Sequence, residues 1–139
     1  MIFKPETDIP EFIKKLNDQK NIYHEMLELS QREENILFDK PLRLNQVIEV
    51  LYKKEQLLNK VQTIETDIAP LRNAVEQVEM DNVYRTTIDC CVKEIGALLE
   101  KLIESDAQNE QELQGKVNTK PSFFGNRKNA VNAYKTFSR

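Results

Sequence analysis

Residues 42–80 read LRLNQVIEVLYKKEQLLNKVQTIETDIAPLRNAVEQVEM. The apolar positions Val47, Val50, Leu51, Leu57, Leu58, Val61, Ile64, Ile68, Leu71, Val75 and Val78 recur at intervals of three and four. That spacing draws one stripe along one face of a helix, and no glycine interrupts it. As a single rod the stretch would be about 57 Å long at ~1.5 Å rise per residue, far beyond the average globular helix. Such a rod cannot bury its own stripe, so neighbouring helices must cover it. Pro70 lies inside the stretch, and an interior proline costs about 3 kcal/mol and frees a carbonyl. It predicts either a kink in a continuous rod or a break with a new helix. The stripe keeps its phase through Ile64, Ile68, Leu71 and Val75, which favours the kink.

On the amino-terminal side, Ile9, Phe12, Ile13, Leu16, Tyr23, Met26, Leu27, Ser30 and Leu37 form a second stripe. It predicts a helix from about Asp8 to Phe38, with Asp8 as its cap and Pro10 and Glu11 in the first turn. Gln19 and Lys20 interrupt the stripe and suggest a partly wet seam. Asp39-Lys40-Pro41 is a stop followed by a start. So short a link folds the second helix back antiparallel on the first, as a long hairpin.

On the carboxyl-terminal side the pattern weakens around Met80-Asp81-Asn82, where either a turn or a continuing helix fits. A third stripe follows through Tyr84, Ile88, Cys91, Ile95, Leu98, Leu99, Leu102 and Ile103, fading by Asp106. Its heptad-like spacing predicts shallow, coiled-coil-style packing along the hairpin. Ser105–Gln114 is polar with one leucine and reads as a fraying extension that Gly115 ends. Residues 117–126 hold Pro121 and Gly125 and read as an extended linker. Residues 127–137 place Ala130, Val131, Tyr134 and Phe137 at helical spacing, with Lys128 and Lys135 alongside. That segment is too short to be a stable helix alone in water. The expected fold is therefore all-α: a long antiparallel hairpin plus a third helix, a coiled-coil-like three-helix bundle over 1–115. A flexible amphipathic segment, 116–139, completes the chain.

Composition agrees. Charged residues make up 31 % of the 139, hydrophobic residues 40 %, and glycines number three. There is enough apolar side chain for one domain's core, and the bias favours helices over sheets. The net charge of −3 hides a split. Residues 1–115 carry 14 basic and 23 acidic side chains, a net −9; residues 116–139 carry six basic and no acidic ones, a net +6. Nucleic acid is a poor partner for so acidic a body. No apolar run approaches the ~20 residues of a membrane span, and the first residues show no cleavable signal pattern. Cys90 and Cys91 are adjacent and cannot form an ordinary bridge with each other, so the chain reads as cytoplasmic with reduced thiols.

Chemistry-bearing constellations are missing from the sequence. His24 is the single histidine, with no partner at metal-ligand or nucleophile–base spacing, and reads as a surface residue. Cys91 falls on the core face. Glu33-Glu34 reads as solvated surface. No glycine-rich phosphate loop is present. The expectation is a non-catalytic protein with no cofactor and no metal. The strongest functional signal is instead the basic tail, which holds four of the ten aromatic residues: Phe123, Phe124, Tyr134 and Phe137. The tail docks on its own bundle, or folds against another protein as an amphipathic helix in a groove, or, as a weaker third option given only six spread basic residues, lies on a membrane surface.

Three stretches carry a family resemblance: Lys20-Asn21-Ile22-Tyr23 with Met26-Leu27-Glu28-Leu29-Ser30; Leu51 and Lys54-Glu55-Gln56-Leu57-Leu58 through Ile64-Glu65; and Ala130-Val131-Asn132-Ala133-Tyr134. With these the chain resembles the FlgN-type flagellar export chaperones over nearly its whole length. The resemblance implies an all-helical cytoplasmic protein that holds hook–filament junction (hook-associated) proteins and delivers them to the type III export apparatus. It also implies that the guest is gripped toward the carboxyl end, on Ala130, Val131, Tyr134 and Phe137, with Lys128 and Lys135 beside them. Phe123 and Phe124 are added on aromatic content alone. The competing expectation is a coiled-coil adaptor that scaffolds a complex through the hairpin. Long hairpins also pair with themselves, so a homo-oligomer is among the arrangements the sequence allows.

Overall fold

The computed structural model describes residues 2–39 and 41–116. They form three helices: α1 (Pro5–Phe38), α2 (Leu44–Glu76) and α3 (Asn82–Lys116). The expected all-α three-helix bundle is the fold.

The helix ends follow local chemistry. Lys4, not Asp8, is the first cap, and Pro5 opens α1, where its missing amide is no loss. Asp8 sits inside the first turn, and its Oδ2 accepts the Lys4 backbone amide at 2.7 Å. Pro10 is consequently interior rather than in the first turn. α3 begins on a side-chain cap: Asp81 Oδ1 accepts the amide of Val83 at 3.1 Å. Residues 77–81 are thus a turn, and the second helix stops at Glu76, short of the expected Met80. α2 runs unbroken through Pro70. Pro70 is exposed, so the ring's clash and the freed carbonyl fall on the outer side, where water can reach.

The buried residues of α1 are Ile9, Phe12, Leu16, Gln19, Tyr23, Met26, Ser30, Glu33 and Leu37. They alternate by three and four without a slip over four heptads. In α2 the buried Val47, Lys54, Val61, Ile68 and Val75 recur every seven residues. A strict seven-residue repeat keeps one seam facing its partners if the helices supercoil slightly. α3 carries one extra interval of four between Ile88 and Leu113, and both Leu98 and Leu99 are buried where the phase shifts. Such an insertion locally unwinds the supercoil.

Polar pairs across the helices give the register. Asn17 meets Cys91, Lys20 meets Glu94, Ser30 meets Asp106 and Lys116 meets Leu37, at sequence separations of 74, 74, 76 and 79. α1 and α3 are therefore parallel. Gln19 meets Glu65 while Ser30 meets Lys54, so α1 and α2 are antiparallel. α1 packs against both of the others, whereas no Cα of α2 lies within 8 Å of one in α3. α1 is the spine, and side chains alone bridge α2 to α3.

The interior is layered. At one end Ile9, Phe12 and Leu16 pack with Ile68, Leu71, Val75, Ile88 and Cys91. In the middle Tyr23 and Met26 pack with Leu58, Val61, Leu98, Leu99 and Leu102. At the far end Leu37, Val47 and Leu113 close the bundle. Between the middle and far apolar layers lies an ionic one. Lys54 Nζ donates to Ser30 Oγ at 2.7 Å, to Glu33 at 3.5 Å, and to Asp106. Ser30 Oγ donates to Asp106 at 2.5 Å, and Asn109 Nδ2 donates to the Ser30 carbonyl at 2.9 Å and to Glu33 at 3.4 Å. All five residues are buried.

Several expectations are corrected here. Glu33 is fully buried rather than part of a solvated face, because Lys54 and Asn109 satisfy it. Gln19 is buried rather than in a wet seam, because it donates to Glu65 at 2.9 Å. Tyr84, expected on the third stripe, is exposed. The third helix does not fade at Asp106: Asp106, Asn109 and Leu113 are buried, and α3 continues past Gly115 to Lys116. There the Lys116 ammonium donates to the carbonyl of Leu37 and lies 5.3 Å from the Phe38 ring centre. That cation caps α1's last carbonyls and favours both the helix dipole and the aromatic face.

Candidate functional site

Because α2 and α3 splay apart on α1, one side of the bundle is an open groove. It has a volume of about 640 Å³. Phe12, Leu16, Gln19 and Tyr23 of α1 form its floor. Glu65, Arg72, Val75 and Glu76 of α2 form one wall. The other wall is the face of α3 from Arg85 to Leu99, including Ile88, Val92, Ile95 and Gly96.

Three features stand out. The first is Gly96, in the middle of a 35-residue helix, where glycine costs about 1 kcal/mol against alanine. A Cβ placed there would meet no atom within 4 Å. No close packing inside the bundle requires the glycine, and it leaves the groove wall bare. The second is Val92, 53 % exposed although it lines the groove. The third is Tyr23, whose ring is 0 % exposed and whose hydroxyl has no hydrogen-bond partner among the described residues. Gln19 lies near the hydroxyl and acts on it, but its amide is directed to Glu65. Burial holds the phenol well above its ordinary value, with the Glu65 charge adding to the effect, so Tyr23 stays protonated. An O–H left unsatisfied in an apolar layer costs about 1–3 kcal/mol. Tyr23→Phe is accordingly expected to leave the free protein as stable or to stabilise it by about 1 kcal/mol, read as a higher urea midpoint with unchanged slope.

The polar strip across the groove is a relay from α1 to α2. Gln19 donates to Glu65 Oε2, and Arg72 Nη1 donates to Glu65 Oε1. Burial pushes the Glu65 carboxyl upward, but the hydrogen bonds from Arg72 and Gln19 and the Arg72 charge outweigh it. The net result is a carboxyl held below its ordinary 4.5. A depressed folded-state value stabilises the fold above the unfolded carboxyl range, and that contribution is lost as pH falls through the folded value. Glu65→Gln should therefore be less stable than the parent at neutral pH. The gap should close in acid below about 4.5, as read from urea unfolding across pH. A gap that widened in acid would contradict the assignment.

Near the groove, Lys20 donates to Glu94 at 2.8 Å; that hydrogen bond raises the lysine above its ordinary value against a smaller opposing effect of desolvation. Cys91 is buried beside Asn17, and burial pushes its thiol up, which leaves it little thiolate. Cys90 is exposed. His24 is also exposed, as expected for a surface residue. Among the described residues, no group of three or more His, Cys, Asp or Glu side chains is placed to hold a metal ion. No helix there is long and apolar enough to cross a membrane.

The residues the sequence nominates for partner binding, Phe123, Phe124, Lys128, Ala130, Val131, Tyr134, Lys135 and Phe137, lie outside the described residues. The groove is a site that sequence reasoning missed. Its one local signal was Gly96, a glycine at an interior helical position where alanine would serve the helix better.

Comparison with family models, with curated proteins and with solved structures finds no match to this chain. Its functional reading therefore rests on its own residues.

Proposed function

We propose that this chain is a non-catalytic helical chaperone of the flagellar export type. It holds hook-associated proteins in the cytoplasm before type III secretion and presents them to the export apparatus. The observation that supports the reading best is the groove between α2 and α3, where Val92 is 53 % exposed and Ile95 half-buried above a buried α1 floor; a groove with apolar residues at its lip suits the apolar face of an amphipathic helix. Terminal segments of filament-forming subunits present such faces and self-associate when left uncovered. A guest helix laid on the chaperone is kept from that association by burial of its stripe. No nucleotide or metal is required for it.

Recognition in this reading also uses the tail, residues 116–139, with Val131, Tyr134 and Phe137 as the apolar contacts and Lys128 and Lys135 beside them. Deleting 116–139 should leave the helical circular dichroism of the bundle and abolish capture of a hook–filament junction protein in a pull-down. Capture at undiminished affinity by the shortened chain would refute the placement.

A second reading is favoured by one observation. Ile48 and Tyr52, one turn apart on α2, are 48 % and 60 % exposed, an apolar pair on the hairpin's outer face. They would serve an adaptor that assembles through the hairpin. Ile48→Asp with Tyr52→Asp should abolish partner capture for an adaptor and spare it for a tail-gripping chaperone. Val131→Asp with Tyr134→Asp should do the reverse.

A further inference from the structure

α3 is built in two unlike parts. From Ile88 to Leu102 its buried side chains are Ile88, Cys91, Leu98, Leu99 and Leu102. Over residues 104–116 they are Asp106, Asn109 and Leu113, and only the leucine is apolar. The first part is fastened by burial of apolar surface, the second mainly by polar contacts.

Those contacts can be named. Asp106 accepts the Ser30 hydroxyl at 2.5 Å and the Lys54 ammonium. The Asn109 amide donates to the Ser30 carbonyl at 2.9 Å and to Glu33 at 3.4 Å. Lys116 donates to the carbonyl of Leu37. Each of these groups regains water when the segment lifts, so the set is worth much less than the number of its bonds suggests. Against it stands the chain entropy lost by ordering the segment. Leu113, packed on Leu37 and Val47, is the single apolar anchor. No Cα of α3 lies within 8 Å of one in α2, so the segment's backbone leans on α1 alone. Lifting it leaves the Lys54–Glu33 pair in place within the hairpin. It also leaves the layers around Phe12 and Met26 packed, because neither contains a residue beyond Ile103.

We propose that residues 104–116 are a latch, which opens from the hairpin and closes on it as one unit while the other layers stay packed. Closed, it covers Leu37 and Val47. Open, it presents them, with the half-buried Ile36, Leu44 and Leu51 around them, as an apolar surface at the Pro41 end of the hairpin. The polar set sets the threshold for opening. The latch is independent of the export reading and of the identity of any guest.

The test is hydrogen exchange of the full chain, resolved by residue, in urea below the unfolding transition. Amides of Asp106–Leu113 should exchange about tenfold faster, or more, than those around Phe12 and Met26. Their rates should depend only weakly on urea, because opening a small unit exposes little surface. Asn109→Ala removes both hydrogen bonds of that amide and should speed the latch amides about fivefold. It should leave those of Ile88–Leu99 in the same helix unchanged. Ile9→Val, in the layer at the other end, should do the reverse: the amides around Phe12 speed up and the latch rates stay as they are. One steep urea dependence shared by all three helices would overturn the proposal. An acceleration by Asn109→Ala spread evenly along α1, α2 and α3 would do so too. So would latch rates that rise in step with the Phe12 layer in Ile9→Val.

Discussion

Lys54→Met is expected to destabilise the bundle by about 3–5 kcal/mol, the usual cost of removing one partner from a buried ion pair. Lys54 is 4 % exposed, and its ammonium donates to Glu33, Asp106 and Ser30 at once. After the change Glu33 keeps the amide of Asn109 and Asp106 keeps the hydroxyl of Ser30. Both carboxylates lose the ammonium that bridges them inside the bundle. That near-isosteric replacement removes the ammonium with little change in volume, so the loss would not be a cavity effect. The control is the triple change Lys54→Met, Glu33→Leu and Asp106→Leu, which removes the whole ionic set. It should recover most of the loss and can exceed the parent in stability, because a well-packed apolar layer often matches a buried ionic one. Urea unfolding of the parent, the single and the triple variant decides the matter. A single variant within 1 kcal/mol of the parent would mean that the layer is wet and behaves as a surface pair. The layer also offers a reason for its own presence. The unbroken heptad stripes of α1 and α2 can slide past one another by seven residues with little penalty to apolar contacts. A charged residue at one position per helix makes each slipped register bury an unmatched charge.

Leu113→Ala carries the second large effect, an expected loss of about 2–5 kcal/mol. Leu113 is 0 % exposed and packs with Leu37 and Val47 at the far end of the bundle. It is the one leucine in a stretch whose polarity suggests fraying, and a leucine on a frayed turn would cost only tenths of a kcal/mol to truncate. Thermal or urea unfolding separates these outcomes. Hydrogen exchange adds a second readout: amides from Asp106 to Leu113 should be protected in the parent. They should exchange faster in the variant, while the layer around Phe12 stays protected.

The same stretch shows what could be read in one dimension. Ser105–Gln114 looks weak because its inward positions are Asp106, Asn109 and Leu113, and two of those are polar. A polar residue at an inward position looks like an interruption of the stripe until its partner is known. Glu33 misleads in the same way. It sits seven residues from Met26, at the right phase for burial, but its acidity and its neighbour Glu34 suggest a solvated face. Gln19 suggests a wet seam on the same grounds. In each case the partner lies on another helix: Lys54 is 21 residues from Glu33 and 52 from Asp106, and Glu65 is 46 from Gln19. Tyr84 erred in the opposite sense. It is aromatic and in phase, but α3 has only just begun at Asn82, and the residue is left on the outside.

Taken alone, the sequence determined the all-helical class, the apolar stripes and the sharp reversal at Pro41, and it favoured continuation through Pro70 while leaving a turn or a continuing helix open at Met80–Asn82. Each of these follows from spacing, capping and proline chemistry within one turn of the residue concerned. Only the tertiary structure decided which helix is the spine, which polar side chains are buried, and that a groove lies open beside Gly96. Those outcomes depend on the distances between helices. The distances are set by the volumes and charges of side chains that meet across the bundle, and no local pattern records them.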